Sequence, residues 1–170
     1  MTPNQISLLR KTWVAVIPNG DAVAQLFYAK LFETDPSAAA LFAGKDMPRQ
    51  HTLLLQALGR VIEKADQAEE LVPTLEALGR RHVNYGVEDR HYASVGTALI
   101  ATLEQGLGPA FTEDVRAAWV TAYSLISDTM RRAAAETCEA AGSRRLRSRS
   151  MSRRGVAAAS RCGTKYISHL

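Results

Sequence analysis

Residues 78–87 read Leu78-Gly79-Arg80-Arg81-His82-Val83-Asn84-Tyr85-Gly86-Val87. Upstream, Leu71, Leu75 and Leu78 are spaced four and three residues apart, and His82 follows four further on. That spacing places all four on one stripe of a helix, with Gly86 as its closing residue. An ionisable ring is therefore turned to the apolar side just where the helix ends. Two readings compete, a histidine satisfied within the packing and a histidine that holds something. Burial among leucines favours the neutral imidazole, which is also the form that binds a metal. A bare zinc or non-haem iron takes three or four protein ligands, and no Cys, Asp or Glu shares the stripe. A lone imidazole suffices only where a macrocycle supplies the remaining ligands.

Outward from this stretch the chain reads as helix after helix. Thr2, Pro3 and Gln5 give a cap, a first-turn proline and a capping-box partner, and Ile6, Leu9, Trp13 and Ile17 follow at helical spacing. A second helix is predicted over about 21–34, with Ala24, Phe27, Tyr28 and Leu31 on one side. Asp35-Pro36-Ser37 ends it and opens a short turn to Leu41-Phe42. Asp46 caps a helix over about 47–64, with Met47, Gln50, Leu54, Leu58, Val61 and Ile62 on one face. The next helix runs to about Tyr85, Pro73 being a point where it could restart. Another covers about 89–105 up to Gly106-Leu107-Gly108-Pro109, and a last one starts at Thr112-Glu113-Asp114. No segment alternates strictly with period two between turn dipeptides, so an all-α domain is expected.

The whole-chain charge of +4 divides unevenly. Residues 142–170 hold eight Lys+Arg and no Asp or Glu, leaving 13 Lys+Arg against all 17 Asp+Glu in 1–141, a net of −4. A globular domain over 1–141 and a Ser/Arg-rich, disordered basic tail over 142–170 are predicted. The tail suits contact with anionic surfaces, but without interleaved aromatics it specifies neither nucleic acid nor membrane. Cys138 and Cys162 form no metal spacing or disulfide framework, and the N-terminus lacks the layout of a secretory signal, so a cytoplasmic location is expected.

Several stretches together resemble bacterial single-domain globins, similar to the haem domain of flavohaemoglobins and to free-standing bacterial haemoglobins. They are Leu26-Phe27-Tyr28-Ala29-Lys30-Leu31-Phe32, Asp35-Pro36, Leu41-Phe42, Gly79-Arg80-Arg81-His82, His91-Tyr92, Val95-Gly96, and Ala118-Trp119 through Tyr123. The resemblance covers about residues 2–137. It implies the globin helical sandwich around haem b (iron protoporphyrin IX), with His82 as proximal iron ligand and Phe42 against the porphyrin. It further implies Tyr28 and Gln50 as the groups that stabilise bound O2, Leu54 as their distal neighbour, and Arg81, with Arg80, near a haem propionate. His51, three residues before Leu54, competes with Gln50 as the distal group or as a second iron ligand. Tyr92 matches a tyrosine that pairs with a last-helix glutamate behind the proximal histidine. Here an ungapped count from Trp119 puts Ala134 at the glutamate position, with Glu136 two residues off.

The implied activity is reversible O2 binding at ferrous iron and reaction with nitric oxide to give nitrate. No Gly-x-Gly-x-x-Gly follows a strand pattern, so electrons are expected from a separate reductase. The alternative is a non-enzymatic oxygen carrier or O2/NO-sensing module, and a third class is a globin fold that has lost haem. Monomer and homodimer are both compatible with the sequence.

Overall fold

The computed structural model describes residues 1–151, with side-chain surroundings as far as residue 139. Helix α1 (Pro3–Val16) opens with the predicted capping box, in which the Thr2 hydroxyl accepts from the Gln5 amide and the Gln5 side chain accepts from the Thr2 amide. Its inner face is Leu9, Thr12 and Val16, while Ile17 is half exposed. Ile17 thus departs from the expected stripe, because Pro18 diverts the chain into a single 3-10 turn (Ile17–Asn19) before it can complete another α turn.

Helix α2 (Gly20–Thr34) buries Ala24, Phe27, Tyr28 and Leu31, as their spacing predicts. Asp35 caps the four-residue helix α3 (Pro36–Ala39), and a 3-10 turn (Ala40–Phe42) follows. Helix α4 (Met47–Glu63) is capped by the Asp46 carboxylate, which accepts from the Arg49 amide at 3.2 Å. Helix α5 (Ala68–Asn84) passes through Pro73 unbroken. The proline is the sixth residue, beyond the first turn, so the helix forgoes the N–H bond to the Glu69 carbonyl there, and no restart occurs. Gly86 follows it at φ 77°, the left-handed conformation that glycine adopts freely. Helices α6 (Asp89–Leu107) and α7 (Glu113–Met151) complete the fold, with a 3-10 turn between them. No strand occurs among the described residues.

Helix α7 is the common support: α1 and α5 pack against it, α6 packs on α7 and α2, and α4 lies over α2 and α1. Helix α7 runs past Gly142 to Met151, so the break in composition is not a break in the helix. The remainder of the expected tail, 152–170, lies outside the described residues.

Among the described residues, apolar packing falls into two clusters. The larger is centred on Leu9, Leu31, Leu103 and Trp119, with Phe42, Leu54 and Val95 against it. The smaller joins Leu71, Leu75, Tyr92 and Met130, with Val61, Leu78, Val87 and Ile126 around them. Full burial of a large apolar side chain stabilises by roughly 1.5–3 kcal/mol. The larger cluster therefore dominates the stability, and the smaller sets the histidine-bearing end of α5. Helices α5 and α7 approach closely at Gly79, where a Cβ would stand 2.3 Å from the Met130 carbonyl oxygen.

Candidate functional site

Two groups of side chains from opposite parts of the chain define the site. On α5, the last turns carry Leu78 and His82. His82 Nδ1 is 2.9 Å from the Leu78 carbonyl oxygen. A carbonyl can only accept, so Nδ1 carries the hydrogen and the lone pair resides on Nε2. No hydrogen bond is made to that Nε2 among the described residues. Desolvation pushes the imidazole below the ordinary histidine pKa, the Leu78 bond opposing it more weakly, so the ring is neutral at pH 7. Its flank is aromatic, with Tyr92 at 6.3 Å and 26° and the exposed Tyr85 at 5.8 Å.

On α2, Tyr28 is buried in a ring of aromatics, with Phe27 and Phe42 each at 5.1 Å, Phe32 at 5.8 Å and His51 at 5.5 Å. Burial pushes its phenol up to about 12, so it keeps its proton and can donate it. The only acceptor within reach among the described residues is the Gln50 carbonyl oxygen at 3.5 Å, a long bond that leaves the hydroxyl weakly engaged. Gln50 itself is half-buried on the first turns of α4, and Leu54, one turn on, packs against the larger cluster. His51, next to Gln50, is buried, with Nδ1 3.0 Å from Asp21 Oδ1. Its ring is thus committed to α2.

The corner bearing Phe42 is tied down by a polar network. The Glu88 amide donates to His91 Nδ1 at 2.9 Å, so His91 Nε2 carries hydrogen and donates to Ser37 Oγ at 3.2 Å. Ser37 Oγ donates in turn to Asp35, and Ser94 Oγ donates to its other oxygen at 2.9 Å. Those serine bonds hold the Asp35 carboxyl below its usual range. The corner also meets the end of α5, since a Cβ on Gly86 would touch the Leu41 side chain at 3.8 Å.

Of the residues singled out in the sequence, Tyr28, Phe42 and Gln50 are brought together, with Leu54 packed on the same cluster; His82 and Tyr92 form a second group. Arg81 is exposed beside His82 with no salt bridge among the described residues, whereas Arg80 faces Glu76 at 3.7 Å. Tyr92 is buried, yet its hydroxyl has no hydrogen-bond partner among the described residues. Asp21 and the Asp35–Ser37–His91–Ser94 network were not foreseen. Thirty residues separate Asp21 from His51, and nothing local in sequence links them; of the network, only Asp35-Pro36-Ser37 was legible, as a helix end and the start of a turn.

The residues fit a flat apolar macrocycle bearing a metal. Among the described residues, the smaller apolar cluster adjoins an imidazole with an unused lone pair, and the larger holds a phenol that offers a nearly free donor. No group of three or more His, Cys, Asp or Glu able to hold a bare ion occurs among the described residues.

Comparison with known proteins agrees. The family model described as Globin matches residues 25–130. The chain is 29% identical over 132 residues to a flavohemoprotein of Bordetella parapertussis, covering 76% of this chain and 33% of that protein. It thus spans about a third of the length of such relatives. It is 30% identical over 145 residues to neuroglobin of Danio rerio, covering 78% of this chain and 91% of that one. In fold it is similar to the solved bacterial globin from Campylobacter jejuni, with a TM-score of 0.70, 23% identity, and coverage of 81% of this chain and 99% of that chain. A hexacoordinated heme protein from an anhydrobiotic tardigrade gives a TM-score of 0.71 at 18% identity, over 79% and 95% of the two chains. The chain belongs to the globin family, whose members bind haem and, through it, oxygen.

Proposed function

We propose that this chain holds haem b through His82, binds O2 reversibly, and consumes nitric oxide when a separate reductase supplies electrons. The observation that carries this reading is the His82 geometry, a neutral imidazole oriented by Leu78 with Nε2 free, belonging to one apolar cluster while the Tyr28 donor belongs to another. Bound haem would supply a ferrous iron that takes up O2 and, with nitric oxide, yields nitrate and ferric iron. The chain's own residues do the rest. His82 presents its lone pair, and Phe42 and Leu54 offer apolar surface to the macrocycle. Tyr28 and Gln50 supply hydrogen-bond donors for the partial negative charge on the distal oxygen, and Arg81 supplies a cation for a propionate. The flavohemoprotein relatives support a redox role, in which a separate reductase would supply the electrons. A cytoplasmic setting suits such a partner; among the described residues, no helix is long and apolar enough to cross a membrane.

One observation favours a second reading, an oxygen carrier or gas-sensing module without turnover. A carboxylate behind a metal-bound histidine makes the ligand more basic. Here His82 Nδ1 donates to a backbone carbonyl, the Tyr92 hydroxyl has no partner among the described residues, and Ala134 stands at the position counted for the glutamate.

Absorption spectra of the haem-loaded chain in ferric, ferrous and O2-equilibrated forms test the reading. A stable oxygenated spectrum is expected, absent in His82→Ala and shorter-lived in Tyr28→Phe. No haem uptake would sink it. Nitrate formation with an added reductase then separates the two functions, since a carrier shows oxygenation with negligible turnover.

A further inference from the structure

A groove of about 650 Å³ runs between α6 and α7, within the size range of small-molecule sites. Its apolar lining is Gly96, Ile100, Ala101 and Val120, the last 46% exposed. Towards one end Arg116 is 2.6 Å from Glu104. The other end is unbalanced among the described residues. Arg131 serves two carboxylates, Asp89 at 2.6 Å and Asp128 at 3.8 Å, while Arg90 is taken by Glu88 at 3.0 Å. One negative charge is therefore in excess there, which disfavours an anion. Tyr92 also lines the groove, 8% exposed, and its hydroxyl is buried with no partner among the described residues. Burial first, and then the Asp89 carboxylate, push its phenol above the usual range, with Arg131 opposing, so the hydroxyl is turned to the unbalanced end. It is a donor in want of an acceptor, and leaving it unpaired is costly.

We propose that this groove binds a small neutral primary amide carried on an apolar body, such as an aromatic carboxamide. Its carbonyl oxygen accepts from the Tyr92 hydroxyl as the long Arg131 side chain, 44% exposed, gives way. Its N–H groups donate to the Asp128 carboxylate, and its ring covers Ile100 and Val120. A head that both accepts and donates, and carries no charge, is what an unpaired hydroxyl beside an excess carboxylate selects. The site goes beyond the haem reading and uses none of His82, Tyr28 or Phe42.

The test is calorimetric titration of the full chain with benzamide at pH 7, beside benzoate, in which a carboxylate replaces the amide. Benzamide is expected to bind with a dissociation constant of about 1 mM or below, and benzoate about tenfold more weakly. Tyr92→Phe, which removes only the hydroxyl, is expected to weaken benzamide about tenfold. Val120→Arg, at an exposed position that tolerates a long side chain, is expected to abolish binding by filling the groove. No binding of benzamide, equal affinity in Tyr92→Phe, or benzoate binding as tightly as benzamide overturns the proposal. So does a doubled mass in light scattering that Val120→Arg returns to that of one chain, which would make the groove an interface between two copies.

Discussion

At the scale of single residues, two tyrosines on the same helix pair have opposite hydrogen-bond fates. The Tyr123 hydroxyl donates to the Tyr92 carbonyl oxygen, while the Tyr92 hydroxyl is buried and unpaired among the described residues. Removing a satisfied hydroxyl loses its bond, and removing an unsatisfied one relieves a desolvation cost of about 1–3 kcal/mol. Tyr123→Phe is therefore expected to destabilise by about 1 kcal/mol, and Tyr92→Phe to be neutral or stabilising, both read as urea midpoints of the haem-loaded protein. The same Tyr92→Phe protein is expected to keep its iron reduction potential, because the hydroxyl relays nothing to His82. A large potential shift would show that Tyr92 acts on the imidazole after all.

At the scale of elements, the setting of α5 on α7 decides where His82 stands. Gly79 lies three residues before His82, and a Cβ there would meet Met130 backbone at 2.3 Å and 2.8 Å. Backbone atoms of a packed helix cannot step aside, so Gly79→Ala must part the helices. Overpacking of this kind costs roughly 1–3 kcal/mol, and weaker haem retention is expected along with the lower melting temperature. Gly106, inside α6, is the contrasting case, with nothing within 4 Å of its added Cβ. Gly106→Ala is expected to stabilise by about 0.5–1 kcal/mol through lost unfolded-state freedom. Equal melting shifts for the two variants would refute this account of the α5–α7 contact.

For the whole molecule, pH acts through carboxylates that the fold holds ionised. Asp35 is lowered by Ser37 and Ser94, and Asp89 by the Arg131 guanidinium 2.6 Å away. Both are depressed relative to the unfolded value near 3.9, so the unfolded chain binds more protons as acid is added. The stability they confer is complete above about pH 5 and is lost as pH falls through their folded values below 4. A melting-temperature profile over that range is expected to fall with acid, and less steeply in Asp35→Asn. The bond from Ser94 to Asp35 crosses from α6 to the start of α3, so acid also loosens the corner that carries Phe42.

The sequence by itself determined the helices, because spacing and caps are local. Thr2 with Gln5, Asp46 with Pro48, and the Leu71–Leu75–Leu78–His82 stripe each act within a few residues, and each is found in the structure. It also narrowed the candidates for chemistry to a few side chains, since a lone imidazole among leucines restricts the ligands it can serve. What only the tertiary structure decided are the partners. Pro73 is tolerated within α5, and His51 is claimed by Asp21 thirty residues away. His91 ties α6 to the start of α3, and the Tyr92 hydroxyl is left alone. Each depends on two helices meeting in one register, a relation set by packing across the fold and not by any short stretch of chain.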